Sequence, residues 1–304
     1  MPRPYHARLR DNHAGTFRFG AHMPTAGGLF KAVTGGAAIG CEAVQLFTAS
    51  PRQWKSAPLS REAVHQFRRA VEATGLHPLI AHDSYLINLA TQDETLLEKS
   101  RQAFLEEMTR AETLGLDYVV THMGAHTGAG EDAGIARLCE SLDWLHRQIP
   151  GFRVRIALET TAGQGTTLGA RFEEFSRIFA CVEEPERLRV CLDTCHVFVA
   201  GYDLRTPEAV AATLDAFDAH AGLSRLCCIH ANDAQKELGS KVDRHAHVGE
   251  GCIGDAGFAA LLADPRLPDG LPVIVETPES ETCHRRNVWR LRQLALAPPP
   301  ELIS

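Results

Sequence analysis

The chain repeats one pattern: a short run rich in Val, Ile and Leu, a polar turn, then a stretch whose apolar residues return every three or four positions. Strand-length runs separated by helix-length segments point to a parallel sheet, because parallel neighbours need a crossover, usually a helix, to join them. About eight such runs occur. They are FRFGAHM near 18–23, AVQLF ending at Phe47, PLIAHD ending at Asp83, YVVTHMG from Tyr118, VRIALET from Val154, LRVCLDT from Leu188, RLCCIHAND from Arg225 and PVIVETP from Pro272. Helical spacing appears in LSREAVHQFRRAVEAT, DETLLEKSRQAFLEEMTRAETL, GIARLCESLDWLHRQI and RFEEFSRIFACV. Eight βα units predict an α/β fold closed as a (β/α)8 TIM barrel, and 304 residues with 44% hydrophobic side chains can bury its core. A single domain is expected over residues 18–295, between a flexible N-terminal extension (1–17) and a flexible C-terminal tail (296–304). No internal repeat or low-complexity tract argues for a second domain.

Almost every run ends in a side chain that can bind a metal: His22, His82, His122, Glu159, Asp193 with His196, His230, and Glu276. In such a barrel the C-terminal strand ends converge on one face, so residues far apart in sequence would share one pocket. A lone histidine after a strand is more often a satisfied core or surface residue; repetition on strand after strand is what carries the inference. The segment Asp243-Arg244-His245 adds two donors on one side of an extended chain, with Arg244 turned away. Alone it reads as a solvated charged loop, but it follows soon after the run ending at His230. His82, His122, Glu159, Asp193, His196, His230, Asp243, His245 and Glu276 are too many donors for one tetrahedral ion and suit two or three with shared carboxylates. Imidazole with carboxylate favours zinc, manganese or iron over calcium or magnesium. Clustered ions of that kind suit phosphodiester cleavage. The loops Gly249-Glu250-Gly251 and Ala162–Gly165 are flexible by composition and only weak signals for phosphate cradles.

The net charge of −7 argues weakly against a nucleic-acid partner, but three divalent cations would offset six of those charges inside the site itself. Nine scattered cysteines, several within apolar runs, read as reduced core thiols rather than a disulfide framework. No apolar stretch long enough to span a bilayer and no secretory leader stand out, so a cytoplasmic protein without a membrane partner is expected.

The segments GAHMPTAGGL (20–29), QLFTASPRQW (45–54), AHDSYLINL (81–89), THMGAH (121–126), LETTAGQGTTLG (158–169), CLDTCHVFVAGYD (191–203), IHANDAQKELGSKVDRHAHVGEGCIG (229–254) and VETP (275–278) stand in this order. Together they resemble the endonuclease IV family of abasic-site endonucleases across nearly all of residues 18–280. The resemblance implies a trinuclear zinc site. One ion would take His82, His122 and Glu159; a second Glu159, Asp193, His230 and Glu276; a third His196, Asp243 and His245. In that family Glu159's counterpart is the catalytic bridge, and water held between two ions attacks the phosphate 5′ to an abasic sugar. The products implied are a 3′-hydroxyl and a 5′-deoxyribose phosphate, in base excision repair. Duplex DNA carrying abasic sites or 3′-blocked ends would be the partner, with no obligate protein partner and a monomer as the working state.

Family members also push side chains into the base stack, and Arg52, Tyr85 and Leu86 match those wedge positions. An abasic nucleotide lacks stacking, so extruding it costs least there. Lys241 and Arg244 are further candidates for phosphate contacts, on charge and position alone. Met123, Ala125 and Thr160 depart from the proline, serine and asparagine more frequent in the family, which touches the surroundings of the ligands rather than the ligands. The rival reading is a metal-dependent sugar isomerase or epimerase, since related barrels also collect His, Asp and Glu at strand ends. The number of donors and the long segment 231–254 favour a macromolecular phosphate substrate.

Overall fold

A computed structural model describes residues 17–296. Seven strands lead the chain: β1 (Phe17–His22), β2 (Ala43–Phe47), β3 (Leu79–His82), β4 (Tyr118–His122), β5 (Arg155–Glu159), β6 (Leu188–Asp193) and β7 (Leu226–His230). A two-residue hairpin, β8 (Asp233–Ala234) with β9 (His245–Ala246), and then β10 (Leu271–Val275) follow. The barrel closes in the order β1-β10-β7-β6-β5-β4-β3-β2, with every neighbour parallel. Each expected run supplies one stave, so the chain is a (β/α)8 barrel and a single domain; the hairpin is an addition that periodicity does not reveal.

The helices are α1 (Phe30–Ala38), α2 (Arg61–Thr74), α3 (Glu94–Leu114), α4 (Glu131–Gln148), α5 (Phe172–Cys181), α6 (Thr194–Ala200), α7 (Pro207–His220), α8 (Gly254–Leu262) and α9 (Ser280–Leu296). Local chemistry sets their ends. Ser60 Oγ accepts from the Ala63 N–H at 3.1 Å to start α2, and Asp93 accepts from Leu96 N–H at 2.9 Å to start α3. Gly115, at φ 81°, ends α3 in a left-handed turn that a Cβ would strain. No helix among the described residues is long and apolar enough to cross a membrane. Of the terminal segments expected to be flexible, Phe17 opens β1 opposite Leu271 and Leu296 ends α9; residues 1–16 and 297–304 lie outside the described residues.

Two apolar layers hold the barrel. Large side chains such as Phe67, Phe104, Phe175 and Phe217 fill the space between staves and helices. Inside the barrel, Ala43, Ile80, Val120, Ala157, Cys191, Cys227, Cys228 and Ile274 form a separate plug of small and branched residues. Side chains alternate along a strand, so this plug dictates which residues face each mouth. The register between β6 and β7 shifts between Val190 and Cys191, where β7 takes an extra residue. The six thiols of Cys41, Cys139, Cys191, Cys195, Cys227 and Cys228 are buried and unpaired, as expected of core cysteines.

His146 on α4 is buried, and neither ring nitrogen finds a hydrogen-bond partner. Burial, with the positive charge of Arg187 beside it, lowers this imidazole to about 4. Between pH 6.5 and about 4 the unfolded chain therefore binds a proton that the folded chain refuses. Stability should fall as the pH drops through that window, by about 1.4 kcal/mol per pH unit from this group, and be unaffected by it above 6.5. Urea unfolding at pH 7 and pH 5 should show His146→Leu less acid-sensitive than the wild type; identical pH dependence would remove His146 from the account.

Candidate metal centre

Eight strands deliver their last residues to one mouth, and that mouth holds a cavity of about 420 Å3. His82 and His122 end β3 and β4, Glu159 ends β5, Asp193 ends β6 and His230 ends β7. His196 follows because Asp193 caps α6: its carboxylate accepts from the His196 N–H at 2.8 Å, so the D-x-x-H spacing places the imidazole in the first helical turn. Asp243 and His245 arrive on the loop ending in β9, and Glu276 follows β10 directly. All nine donor candidates therefore gather at one site.

Glu159 stands at the middle, fully buried. One carboxylate oxygen lies 3.1 Å from His82 Nε2 and 3.0 Å from His122 Nε2; the other lies 2.8 Å from His230 Nδ1. His230 Nδ1 is also 3.1 Å from Glu276 and 3.9 Å from Asp193. Asp243 sits between His196 and His245, 3.2 Å from Nε2 of each, and His245 Nε2 is 3.7 Å from Asp193. The donor atoms of His82, His122 and Glu159 lie within 4.8 Å of one another, as do those of His196, Asp243 and His245, so each trio could hold an ion.

A metal requires lone pairs aimed inward, and the outer contacts of these rings supply that. His82 Nδ1 donates to the Asp83 carbonyl at 3.0 Å, His196 Nδ1 to the Thr160 carbonyl at 2.9 Å, and His245 Nδ1 reaches the Glu276 carbonyl at 3.3 Å. Each leaves Nε2 directed at the centre, the arrangement that orients imidazole ligands in metal sites. The Nε2 of His245 is buried between Asp243 at 3.2 Å and Asp193 at 3.7 Å without a well-aligned hydrogen bond to either, a placement that a cation between them would satisfy. The electrostatics of the pocket point the same way. Burial alone would lower His82, His196 and His245, but Glu159 chiefly drives His82 up to about 9, while Asp193 and Asp243 drive His196 up to about 10 and His245 up to about 9. Burial would raise Glu159 and Glu276, yet the surrounding imidazoles hold both carboxyls well below the usual range. The pocket stabilises positive charge and keeps its carboxylates ionised.

Three buried residues essential to this geometry carry no spacing signal. Gln45, on β2, accepts from His230 Nε2 at 2.8 Å and donates to Glu276 at 2.5 Å and to His22 Nδ1 at 3.0 Å. His22, which ends β1, thus serves behind Glu276. Asn232 donates to Asp193 at 2.7 Å and accepts from the Glu276 N–H at 2.8 Å. Asp233 accepts from the amides of Ala234, Gly249, Gly251, Ile253 and Gly254 and so closes the loop that carries Asp243 and His245. The amides of Gly249 and Gly251 are therefore spent on an internal carboxylate and do not form a phosphate cradle. Of the residues that depart from the family pattern, Thr160 accepts from the Asp193 N–H at 2.9 Å, Ala125 accepts from Asn88 through its carbonyl at 3.0 Å, and Met123 is fully buried.

Of the other candidates, Tyr85 lines the cavity, and the rest lie on loops outside its lining. Tyr85 is 63% exposed over the cavity, its ring edge-on to Phe47 at 5.5 Å. Arg52 is exposed on the loop after β2, and Leu86 is half-buried. Lys241 is exposed, with φ 56°, while Arg244 is exposed and spends one guanidinium N–H on the Asp243 carbonyl at 2.7 Å.

A family model described as a xylose isomerase-like TIM barrel matches residues 36–296. The probable endonuclease 4 of Chloroflexus aurantiacus is 49% identical over 279 residues, 91% of this chain and 98% of its own length. That of Geobacter sulfurreducens is 46% identical over 262 residues, 86% of this chain and 88% of its own. The crystal structure of endonuclease IV from Thermus thermophilus superposes with a TM-score of 0.81 at 37% identity, covering 91% of this chain and 98% of that one. A D-tagatose 3-epimerase-like protein superposes with a TM-score of 0.70 at 15% identity over 92% and 98% of the two chains, a likeness of fold alone. With identities near one half over almost the full length of such relatives, the chain belongs to the endonuclease IV family.

Proposed function

We propose that this protein is a zinc-dependent apurinic/apyrimidinic endonuclease that cuts duplex DNA 5′ to an abasic site, leaving a 3′-hydroxyl and a 5′-deoxyribose phosphate, in base excision repair. Its membership of the endonuclease IV family makes it a hydrolase of the endonuclease IV type. The observation that supports the finer reading is the convergence of four carboxylates and five imidazoles at one mouth, with the rings of His82, His196, His230 and His245 held from behind so that their free nitrogens point inward. His82, His122 and Glu159 would hold one zinc ion, Glu159, Asp193, His230 and Glu276 a second, and His196, Asp243 and His245 a third. Zinc bound in such a cluster lowers the pKa of an attacking water and neutralises charge on the attacking and leaving oxygens.

The chain's own groups supply the rest. The two Glu159 oxygens face different histidines, which suits a bridging carboxylate. Arg52, Tyr85 and Leu86 would be the side chains that enter the base stack beside an extruded abasic sugar. Lys241 and Arg244 carry charge towards the flanking phosphates. We assign the same site the removal of 3′-blocking groups, and take the enzyme to act as a cytoplasmic monomer. The epimerase reading shares the barrel but gains nothing from the exposed Tyr85 and Arg52.

Gln45 is a positioning residue in this scheme. With its Nε2 donating to Glu276 and His22, its Oε1 can only accept from His230 Nε2–H, which leaves His230 Nδ1 free to bind metal.

Elemental analysis should find close to three zinc ions per chain, and prolonged chelation should abolish incision of an abasic duplex until zinc is restored; conversion of a ketose by metallated protein without incision would replace the reading with the epimerase one. Glu159→Gln should lose incision by about 10³-fold or more while retaining abasic-DNA binding, and undiminished cleavage would remove Glu159 from the chemistry. Gln45→Leu should fold normally and lose about 10- to 100-fold in zinc affinity against a competing chelator; wild-type affinity would show that Gln45 does not orient His230.

A further inference from the structure

A second cavity, of about 400 Å3, opens at the opposite mouth of the barrel, where β4, β5 and β6 begin. Its wall carries Tyr118, Arg153, Arg155 and Arg189. The alternation of side chains explains how they come together. Arg155, Ala157 and Glu159 face one way along β5; Tyr118, Val120 and His122 do so along β4, and Arg189, Cys191 and Asp193 along β6. Val120, Ala157 and Cys191 lie in the plug inside the barrel. Each of these strands therefore presents a metal-donor candidate at one mouth and a phenol or guanidinium at the other, about 13 Å away across packed side chains.

These cations have no acidic partner. Among the described residues, the guanidinium groups of Arg153 and Arg155 form no hydrogen bond or ion pair. Arg189 uses one nitrogen on the carbonyls of Glu186 and Leu188, at 2.8 and 2.9 Å, and leaves its other N–H groups for the cavity. Two acids also stand in the wall, against three arginines, and each is tied to backbone N–H groups rather than to a guanidinium. Glu112 accepts from the Arg153 and Val154 N–H groups, both at 3.0 Å, while Asp117 accepts from the Leu79 N–H at 2.8 Å and faces His77 at 3.4 Å. Burial pushes the Tyr118 phenol up to about 12, so its hydroxyl keeps its proton and can donate.

We propose that this mouth binds the phosphate group of a small phosphorylated molecule, through Arg155 and Arg189 inside the barrel, the Tyr118 hydroxyl, and Arg153 at the rim. Guanidinium forks match the several oxygens of a phosphate, and charged hydrogen bonds of this kind are stronger than neutral ones. The cavity admits a group on the order of a nucleotide in size, but its position inside a barrel mouth does not suit a duplex backbone. The site is separate from the metal mouth and does not depend on the proposed nuclease chemistry.

Hydrogen–deuterium exchange of the metal-loaded protein, with inorganic phosphate in one arm and a deoxynucleoside monophosphate in the other, reads this site directly. Both ligands should protect segments 112–118, 153–155 and 186–189. The double variant Arg155→Gln/Arg189→Gln should need about tenfold or more ligand for that protection, and exposed Arg153→Gln, which leaves the barrel interior untouched, about threefold. Phosphate bound at the metal mouth would protect other segments and respond to neither variant. No protection of the three segments at saturating phosphate, protection by the nucleotide alone, or unchanged affinity in Arg153→Gln and in a folded double variant would each overturn the proposal.

Discussion

Glu159, Asp193, Asp243 and Glu276 put four carboxylates into one mouth of the barrel, two of them with no exposure at all. Like charges removed from water repel strongly unless each finds opposite charge and hydrogen bonds. Five imidazoles interleave with them and meet part of that demand, and a bound cation would meet it more fully. Much else in the structure supports the cluster from outside. Backbone carbonyls at Asp83, Thr160 and Glu276 turn three of the rings, Gln45 turns a fourth, and Asn232 ties Asp193 to the backbone of Glu276. Displacing β3 to β7 or β10 would move a donor, and displacing β1 or β2 would move His22 or Gln45 behind them, so the rigidity of the closed sheet is part of the site.

The barrel also separates tasks along its axis. Small and branched residues pack together in its middle, between the two mouths. The donor candidates occupy the C-terminal ends of the strands, where loops of different length can shape what approaches. At the other end, β4 to β6 begin with a phenol and two inward-facing arginines where apolar residues would have packed the base. Placing guanidinium groups without a carboxylate partner there gives up apolar burial, a cost that a bound anion would offset.

The loop between β7 and α8 illustrates how far local chemistry reaches. Asp233 gathers the amide of its neighbour in β8 and four amides that follow β9, so the segment rich in glycine and charge is ordered around one buried carboxylate. Asp243 and His245 owe their position to that knot. Composition suggests a flexible loop there because glycine spacing reports backbone freedom and not the partner that removes it.

The linear chain alone specifies the staves, the closed architecture and the identity of the donor candidates. Strand period and the placement of polar residues at strand ends are local properties, readable without knowing what any strand touches. His82, Glu159 and Glu276 stand out because an ionisable side chain closing an apolar run is poorly suited to core packing and well suited to binding at a barrel mouth. Gln45, Asn232 and Asp233 do not, since an amide or carboxylate inside a run or loop looks the same whether it faces water or orients a ligand. Apart from the Ala234 amide next to Asp233, their roles depend on partners 16 to 231 positions away, brought within hydrogen-bond distance only by the tertiary fold. The arginines at the base are likewise invisible as a group: each is an ordinary strand-start cation in sequence, and only the common inward direction of β4, β5 and β6 makes them one cavity wall.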